Sequence, residues 1–366
     1  MRLRAEQVGS LLRPPDLLAA REAYASGRID LTGLRAREDA SIRAAVARQR
    51  DAGLDVFADG EMRRSSWLTG MADAVDGFLP DHVMLEWHGP GGGREQTTAK
   101  IVGGLLRKRE MLTAHEVPFM TSLATSLPGP VKITLPAPSN FVPTGFKRGV
   151  TERFYGDRDA LLAALVAIIR DEIAWLIARG VTYIQLDAPF YSHYLDPEHR
   201  KAMQMAGADP DAEFDRAVAG DNATFAGLAR AGVTMAVHIC RGNSRSRWYT
   251  EGGYDAIAEK LFSSLDVDRF LLEYDTERSG TFEPLRLVPR GRDVVLGLIT
   301  TKQPDLERED DVRRRIDEAS RFMPLERLSL SPQCGFASIA AGNLLSEDDQ
   351  WRKLDLVVSA ARKVWG

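Results

Sequence analysis

Cysteine is the scarcest informative residue here: the 366-residue chain holds two, Cys240 and Cys334. So few thiols exclude a disulfide-stapled scaffold. No Cys-x-x-Cys pair is present, which removes the usual closed structural zinc knuckle. Long apolar runs are missing as well. Segment 160–169 is among the longest and falls well short of a bilayer span. Neither sign of charge dominates: 48 Lys and Arg oppose 52 Asp and Glu, a net charge of -4, so neither nucleic acid nor an anionic membrane is an expected partner. Residues 1–10 lack the apolar stretch of a secretory signal, and the expected location is the cytoplasm. The glycine-rich spot at 89–93, between Trp87 and Arg94, neither follows a strand nor opens a helix, so it reads as a loop tip rather than a phosphate cradle.

What is present is an alternation of short apolar runs with longer segments of helical period. The runs are 7–11, 55–61, 131–135, 182–187, 234–240, 269–275, 293–300 and 327–331. Most are continuously apolar, as strands buried on both faces of a parallel sheet are. Helices are expected at 35–52, 157–180, 213–232, 254–265, 310–322 and 347–365. Eight strand–helix units predict one (β/α)8 TIM barrel over residues 1–366. The second and third strands are separated by an insertion, 62–130, expected to hold extra helices and a hairpin around 100–106. A doubly wound open sheet is the alternative, but no Gly-x-Gly-x-x-Gly follows the first strand.

Active sites of such barrels form where the strands end. The ends here carry Ser10, then Asp59-Gly60-Glu61, Gln185-Leu186-Asp187, His238-Ile239-Cys240, Glu273 with Asp275, 300–302, and Gln333-Cys334. His238 and Cys240 are two apart on a strand, so both side chains point to one face and can hold one ion. Cys334 arrives from the last strand, and Glu273 or Asp275 can complete a fourth position. Thiolate and imidazole ligands suit zinc better than magnesium or calcium. Buried inert thiols are the plain alternative. Ligands drawn from distant strands favour a catalytic site with an exchangeable position over a closed structural one.

With these residues in view, the sequence resembles the cobalamin-independent methionine synthase family, in a short form equivalent to the catalytic C-terminal half of the long enzymes. The matching motifs are Val8-Gly9-Ser10, Asp59-Gly60-Glu61, Ile184-Gln185-Leu186-Asp187, His238-Ile239-Cys240 and Ser331-Pro332-Gln333-Cys334-Gly335. The resemblance implies Zn2+ held by His238, Cys240, Cys334 and a carboxylate. Register counted from Asp268 selects Glu273 for that carboxylate, whereas register from Thr276 and Arg278-Ser279 selects Asp275. The two share a face, and Glu273 is preferred. The resemblance also implies a homocysteine pocket in which Ser10 meets the substrate carboxylate while Glu61 and Asp187 meet its amino group. The chain departs from the long synthases at Ala188-Pro189 and at Arg241-Gly242-Asn243, and its ending is similar to a short bacterial branch that includes epoxyalkane:coenzyme M transferase.

The implied activity is methyl transfer from a folate-type or other donor to a small thiol, activated as a zinc thiolate. Epoxide opening by coenzyme M or another thiol is the alternative enzyme reading. A corrinoid- or tetrapyrrole-handling relative without zinc, and a non-catalytic zinc carrier, represent other classes. A protonated leaving nitrogen requires a general acid; His193, just past Asp187, is the histidine nearest a strand end. Lys302 or Arg241 could meet an anionic substrate tail, with solvated cations as the plain alternative. The expected partners are a thiol and an alkyl donor, and association into a homo-oligomer stays open.

Overall fold

The structure is a computed structural model that describes residues 3–366; Met1 and Arg2, part of the N-terminal stretch read for a signal, lie outside the described residues. Six parallel strands form one sheet in sequence order: β3 (Lys132–Pro136), β4 (Tyr183–Asp187), β5 (Thr234–Ile239), β6 (Arg269–Glu273), β7 (Asp293–Ile299) and β8 (Leu328–Pro332). Their interiors are buried throughout, which is why they read as unbroken apolar runs. Helices cover the outside. Asp157 and Asp30 cap the helices Arg158–Ala178 and Leu31–Ala52 by accepting the backbone N–H groups of Ala160 and Gly33. Ser346 and Asp349 form a capping box that opens Glu347–Trp365.

The remaining quarter of the barrel wall differs from expectation. Segments 7–11 and 55–61 do not form extended ladders; the isolated parallel bridges are Ala5 with Leu330, just before the first segment, and Phe57 with Val131 in the second. The circuit still closes. Glu6 N–H donates to Leu330 O at 3.1 Å, Asp55 N–H to Ala5 O at 2.8 Å, and Lys132 N–H to Phe57 O at 2.7 Å. Side chains replace the missing ladder bonds. Asp55 Oδ2 accepts from the N–H groups of Arg4 and Ala5, Gln185 Nε2 donates to Val8 O, and Gln49 both donates to and accepts from the backbone of Ala58. These groups are satisfied, as buried backbone must be, without regular strand geometry.

The insertion holds a larger hairpin than the one expected at 100–106. β1 (Val75–Trp87) and β2 (Gly93–Lys108) pair antiparallel, with 89–93 at the tip as read from the sequence, and short helices Thr69–Ala74 and Val117–Ala124 flank it.

Alternate residues of each strand point into the barrel and stack in tiers. The floor is a charge cluster. Glu6, fully buried, accepts from Lys132 Nζ at 3.1 Å, Arg269 Nε at 3.0 Å and the Tyr183 hydroxyl at 2.9 Å. Above it lies a small apolar tier of Val8, Val56, Ala236, Leu271 and Val295. Two places up from Ala236 and Leu271 come His238 and Glu273, at the C-terminal mouth.

Burial works against the Glu6 charge, but Lys132 and Arg269 outweigh it and hold its carboxyl below the usual range. Its stabilising contribution is therefore present above the unfolded pKa and lost as pH falls through the folded value. Replacing Glu6 by Gln takes the paired carboxylate from buried Lys132 and leaves Arg269 only Asp293, at 3.5 Å. The expected loss is about 3–5 kcal/mol in urea unfolding at pH 7; a loss under ~1 kcal/mol would show that the floor is solvated or rearranged.

Candidate metal centre

At the mouth, three soft donors converge. His238 and Cys240 come from β5 and the residue after it, and Cys334 follows β8; one ligand atom from each lies within 4.8 Å of the others, all buried. Neither His238 ring nitrogen has a hydrogen-bond partner among the described residues. A buried imidazole lacking partners on both nitrogens is costly in an ordinary core. Next to two sulfurs it is the donor set of a zinc site, so the residues present fit that ion. Cys240 Sγ, then the His238 ring and Lys302, hold the Cys334 thiol well below its ordinary pKa against the effect of burial. The same contact with Cys334, together with burial, pushes Cys240 up.

Chain geometry explains why the cluster is tight. In the β4–β5 ladder Asp187 lies beside His238. A close approach brings in the last strand: a Cβ on Gly335 would sit 2.0 Å from Ser10 Oγ, and Phe336 N–H donates to Ser10 O at 2.8 Å. Only glycine after Cys334 lets this loop lie against 8–10.

A family model of the cobalamin-independent synthase catalytic domain matches residues 4–362. The chain belongs to the cobalamin-independent methionine synthase family. Protein YxjG of Bacillus subtilis (strain 168), itself uncharacterized, is 38% identical over 99% of this chain and 94% of its own length. A methionine synthase of Pyrococcus abyssi is 25% identical, covering 98% of this chain and 91% of that protein. The 5-methyltetrahydropteroyltriglutamate–homocysteine methyltransferase of Aeromonas salmonicida is 25% identical over 90% of this chain but only 39% of its own length. In three dimensions the B12-independent methionine synthase of Shewanella sp. W3-18-1 superposes with a TM-score of 0.75, covering 100% of this chain and 98% of that one at 20% identity, and so shares the TIM-barrel fold.

Near the metal-type cluster of this synthase-family barrel lies a group of buried acids, Asp59, Glu61 and Asp187. Glu61 is held by a backbone with φ +57°, right after the left-handed Gly60, a costly conformation for a non-glycine residue. Its Oε1 accepts from the Thr134 hydroxyl at 3.2 Å, and its Oε2 is buried with no partner among the described residues. Asp59 Oδ1 accepts from Glu61 N–H at 2.8 Å, and Asp59 Oδ2 is likewise unpartnered. Asp187 Oδ1 accepts from Gln185 Nε2 at 2.7 Å. Burial drives Asp59 and Asp187 up to about 7, and it also raises Glu61. Asp187, beside His238 in the ladder, feels the charges of His238, Glu61 and Cys334. Ser10 is buried in the same wall.

Glu273 falls outside the group of three. It ends β6 and is fully buried, but its oxygens are engaged: Oε2 accepts from Arg241 N–H at 2.9 Å and Oε1 from Arg278 Nε at 2.9 Å. Asp275 is bound to Arg278 at 2.7 Å. His193 sits in the helix Ser192–Leu195, packed edge-on to Phe190 (4.7 Å) and at a tilt to His199 (4.5 Å) and Tyr249 (5.3 Å). Burial and His199 push it down to about 3, so it stands as a neutral imidazole rather than a charged acid.

Lys302 and Arg241 are neither solvated nor free for an anionic tail. Lys302 Nζ donates to Gly242 O at 2.8 Å and Asn243 Oδ1 at 3.0 Å; Arg241 donates to the Tyr254 hydroxyl and Gly252 O, both at 2.6 Å. Both shape the loop that follows β5.

Sequence reasoning missed the roof. His88 and Trp248 exchange backbone hydrogen bonds of 2.7 and 3.2 Å, joining the hairpin tip to the β5 loop. Trp87 packs edge-on against Tyr249 at 5.5 Å, and Glu95 pairs with Arg247 at 2.6 Å. Gly89 lies so close to the Trp248 ring that a Cβ would approach it to 2.5 Å. The only sequence signal was the aromatic pair Trp248-Tyr249 in the loop after the ligand strand.

Asp59 yields a pH prediction. Its pKa rises from 3.8 to about 7 on folding, so the fold favours the neutral acid, and stability is lost as pH rises from about 4 to about 7. Asp59→Asn keeps an acceptor for Glu61 N–H but does not titrate. Its stability relative to the parent is expected to climb across that window by up to a few kcal/mol and then level off. A difference that stays flat from pH 4 to 8 in denaturant titrations would refute the assignment.

Proposed function

We propose that this protein is a zinc-dependent methyltransferase whose acceptor is homocysteine or a close amino-acid thiol and whose donor is a folate-type or other methyl compound. The observation that carries it is the set of three buried soft donors, with both nitrogens of His238 unpartnered. Family membership and the names of the methyltransferase relatives support the same reading.

His238, Cys240 and Cys334 would hold the ion. Bound zinc supplies acidity, since coordination removes the proton of a thiol whose free pKa is near ~8.5. The chain's other groups select and orient the acceptor. Glu61 and Asp187, both raised by burial, offer buried carboxylate oxygens to an ammonium group, whose charge would favour their ionised forms. The Ser10 hydroxyl is assigned to the substrate carboxylate. In the transfer, the acceptor's sulfur lone pair forms the new S–C bond. The electrons of the donor's C–N bond stay with its nitrogen, which takes up a proton. The roof of Trp87, Trp248 and Tyr249 keeps water from the sulfur nucleophile.

A sulfonated thiol is the poorer acceptor. Its anionic tail would face Asp59, Glu61 and Asp187, and the nearby cations Lys302 and Arg241 are already bonded to protein.

Purified protein is expected to carry about one zinc per chain, with Cys334→Ser losing both the metal and methyl transfer to homocysteine. Unchanged zinc content and turnover in that variant would remove the proposed centre. The amine reading has its own check. The parent should prefer homocysteine over 4-mercaptobutyrate, which lacks the ammonium, by roughly 10- to 100-fold in kcat/KM. Glu61→Gln should shrink that preference mainly through KM; equal preference in both proteins would count against Glu61.

A further inference from the structure

Glu61 is the acid assigned above to the acceptor's ammonium, yet a buried guanidinium stands one hydroxyl away from it. Arg64 lies just beyond the strained turn at Glu61, and its side chain is buried. Its fork is taken by Glu116, a buried acid that the insertion supplies. Nε reaches Glu116 Oε1 at 2.7 Å and Nη2 reaches Oε2 at 2.6 Å. The remaining nitrogen, Nη1, donates to the Thr134 hydroxyl at 2.9 Å, and Nη2 also donates to Thr134 O at 2.9 Å. A hydroxyl has a single hydrogen to give. Having accepted from Arg64, Thr134 donates its own to Glu61 Oε1 at 3.2 Å. That oxygen is also wedged in place, since a Cβ on Gly9 would come within 2.9 Å of it. The helix Arg158–Ala178 fastens the segment that carries Glu116: its buried Glu172 accepts from the N–H groups of Leu112 at 2.8 Å and Thr113 at 3.0 Å.

We propose that Glu116 is a positioning residue that sets acceptor specificity: by holding the fork of Arg64 it keeps that cation off Glu61, whose carboxylate stays free for the acceptor's ammonium. The inference rests on the ammonium reading of Glu61 proposed above. Two buried acids compete for one guanidinium, and the geometry gives it to Glu116, through two forked hydrogen bonds against none made directly to Glu61. Burial raises Glu61, and Arg64 is the largest of the charges that oppose it, ahead of Arg13, so the guanidinium is near enough to matter. Burial also works against the charge of Arg64; Glu116 supports it most, and Glu61 and Asp59 come next. With Glu116 uncharged, Arg64 would turn to those two acids, and protein would supply the charge that a substrate cation brings. Arg13 is not an alternative partner, because it donates to the backbone carbonyls of Leu11, Glu61, Arg64 and Ala337. Thr134 is the spacer. It fixes Oε1 of Glu61 while Oε2 keeps no partner among the described residues.

Calorimetric binding of homocysteine and of 4-mercaptobutyrate to the purified protein supplied with zinc tests this. The two thiols differ by the ammonium alone, so damage to the fold or the metal centre weakens both, whereas a neutralised Glu61 weakens only homocysteine. Glu116→Gln is expected to bind homocysteine roughly 10-fold more weakly and 4-mercaptobutyrate within about 2-fold of the parent. Replacing the pair together, Glu116→Gln with Arg64→Gln, should restore homocysteine to within about 3-fold of the parent, because the competing cation is gone. Thr134→Val leaves the ion pair in place and removes the spacer's hydroxyl. It should weaken homocysteine by about 3- to 5-fold, again sparing 4-mercaptobutyrate, and it carries the test if Glu116→Gln does not fold. An unchanged ratio of the two affinities in Glu116→Gln or Thr134→Val, or no rescue in the double variant, would overturn the role of Glu116 while leaving the acceptor assignment intact. A parent protein that binds neither thiol, or both equally, would overturn both readings.

Discussion

The structure depends on a buried imbalance at the barrel mouth: an imidazole and two thiols gathered within 4.8 Å, with no oxygen or nitrogen partner for the ring among the described residues. Ordinary folding would avoid this arrangement, because each unsatisfied buried polar atom costs about 1–3 kcal/mol. The parallel ladder makes it unavoidable. Once Asp187 pairs with His238 and the β8 loop is pressed against Ser10 by Gly335, the two sulfurs and the ring have nowhere else to go. Zinc, bound as proposed, would relieve the imbalance.

The two ends of the barrel treat charge in opposite ways. At the floor, Glu6 is surrounded by Lys132, Arg269 and Tyr183, and its carboxylate is satisfied by protein alone. At the mouth, Asp59 and Glu61 each keep an oxygen without a partner, and Glu61 is held in a left-handed backbone. The floor stabilises the fold; the mouth stores unfavourable burial. This division follows the general rule that strand C-termini carry function and N-termini carry stability in such barrels.

Between cluster and solvent stands the hairpin of the insertion. Its tip is tied by backbone hydrogen bonds to the loop that follows the ligand strand, and that loop is braced from within by Lys302 and Arg241. Through Trp248 and Arg278, the roof is continuous with the carboxylate of Glu273. The insertion at 62–130 thus reaches the loop that follows the ligand strand.

Much of this was legible from local pattern. Continuous apolar runs specified parallel strands, and two-residue spacing put His238 and Cys240 on one face, because each depends on near neighbours and a fixed backbone period. The same period could not separate Glu273 from Asp275, since residues two apart share a face; only the folded position of Arg278 distinguishes their surroundings. Nor could it show that 7–11 and 55–61 would bond through Gln49, Asp55 and Gln185 instead of forming ladders, or that Trp87 and Trp248 would meet. Those contacts join side chains to backbone far along the polypeptide, and their partners are chosen by the closed barrel. Sequence alone therefore determined which chemistry the chain carries, and tertiary structure decided which of its charged groups are free to take part.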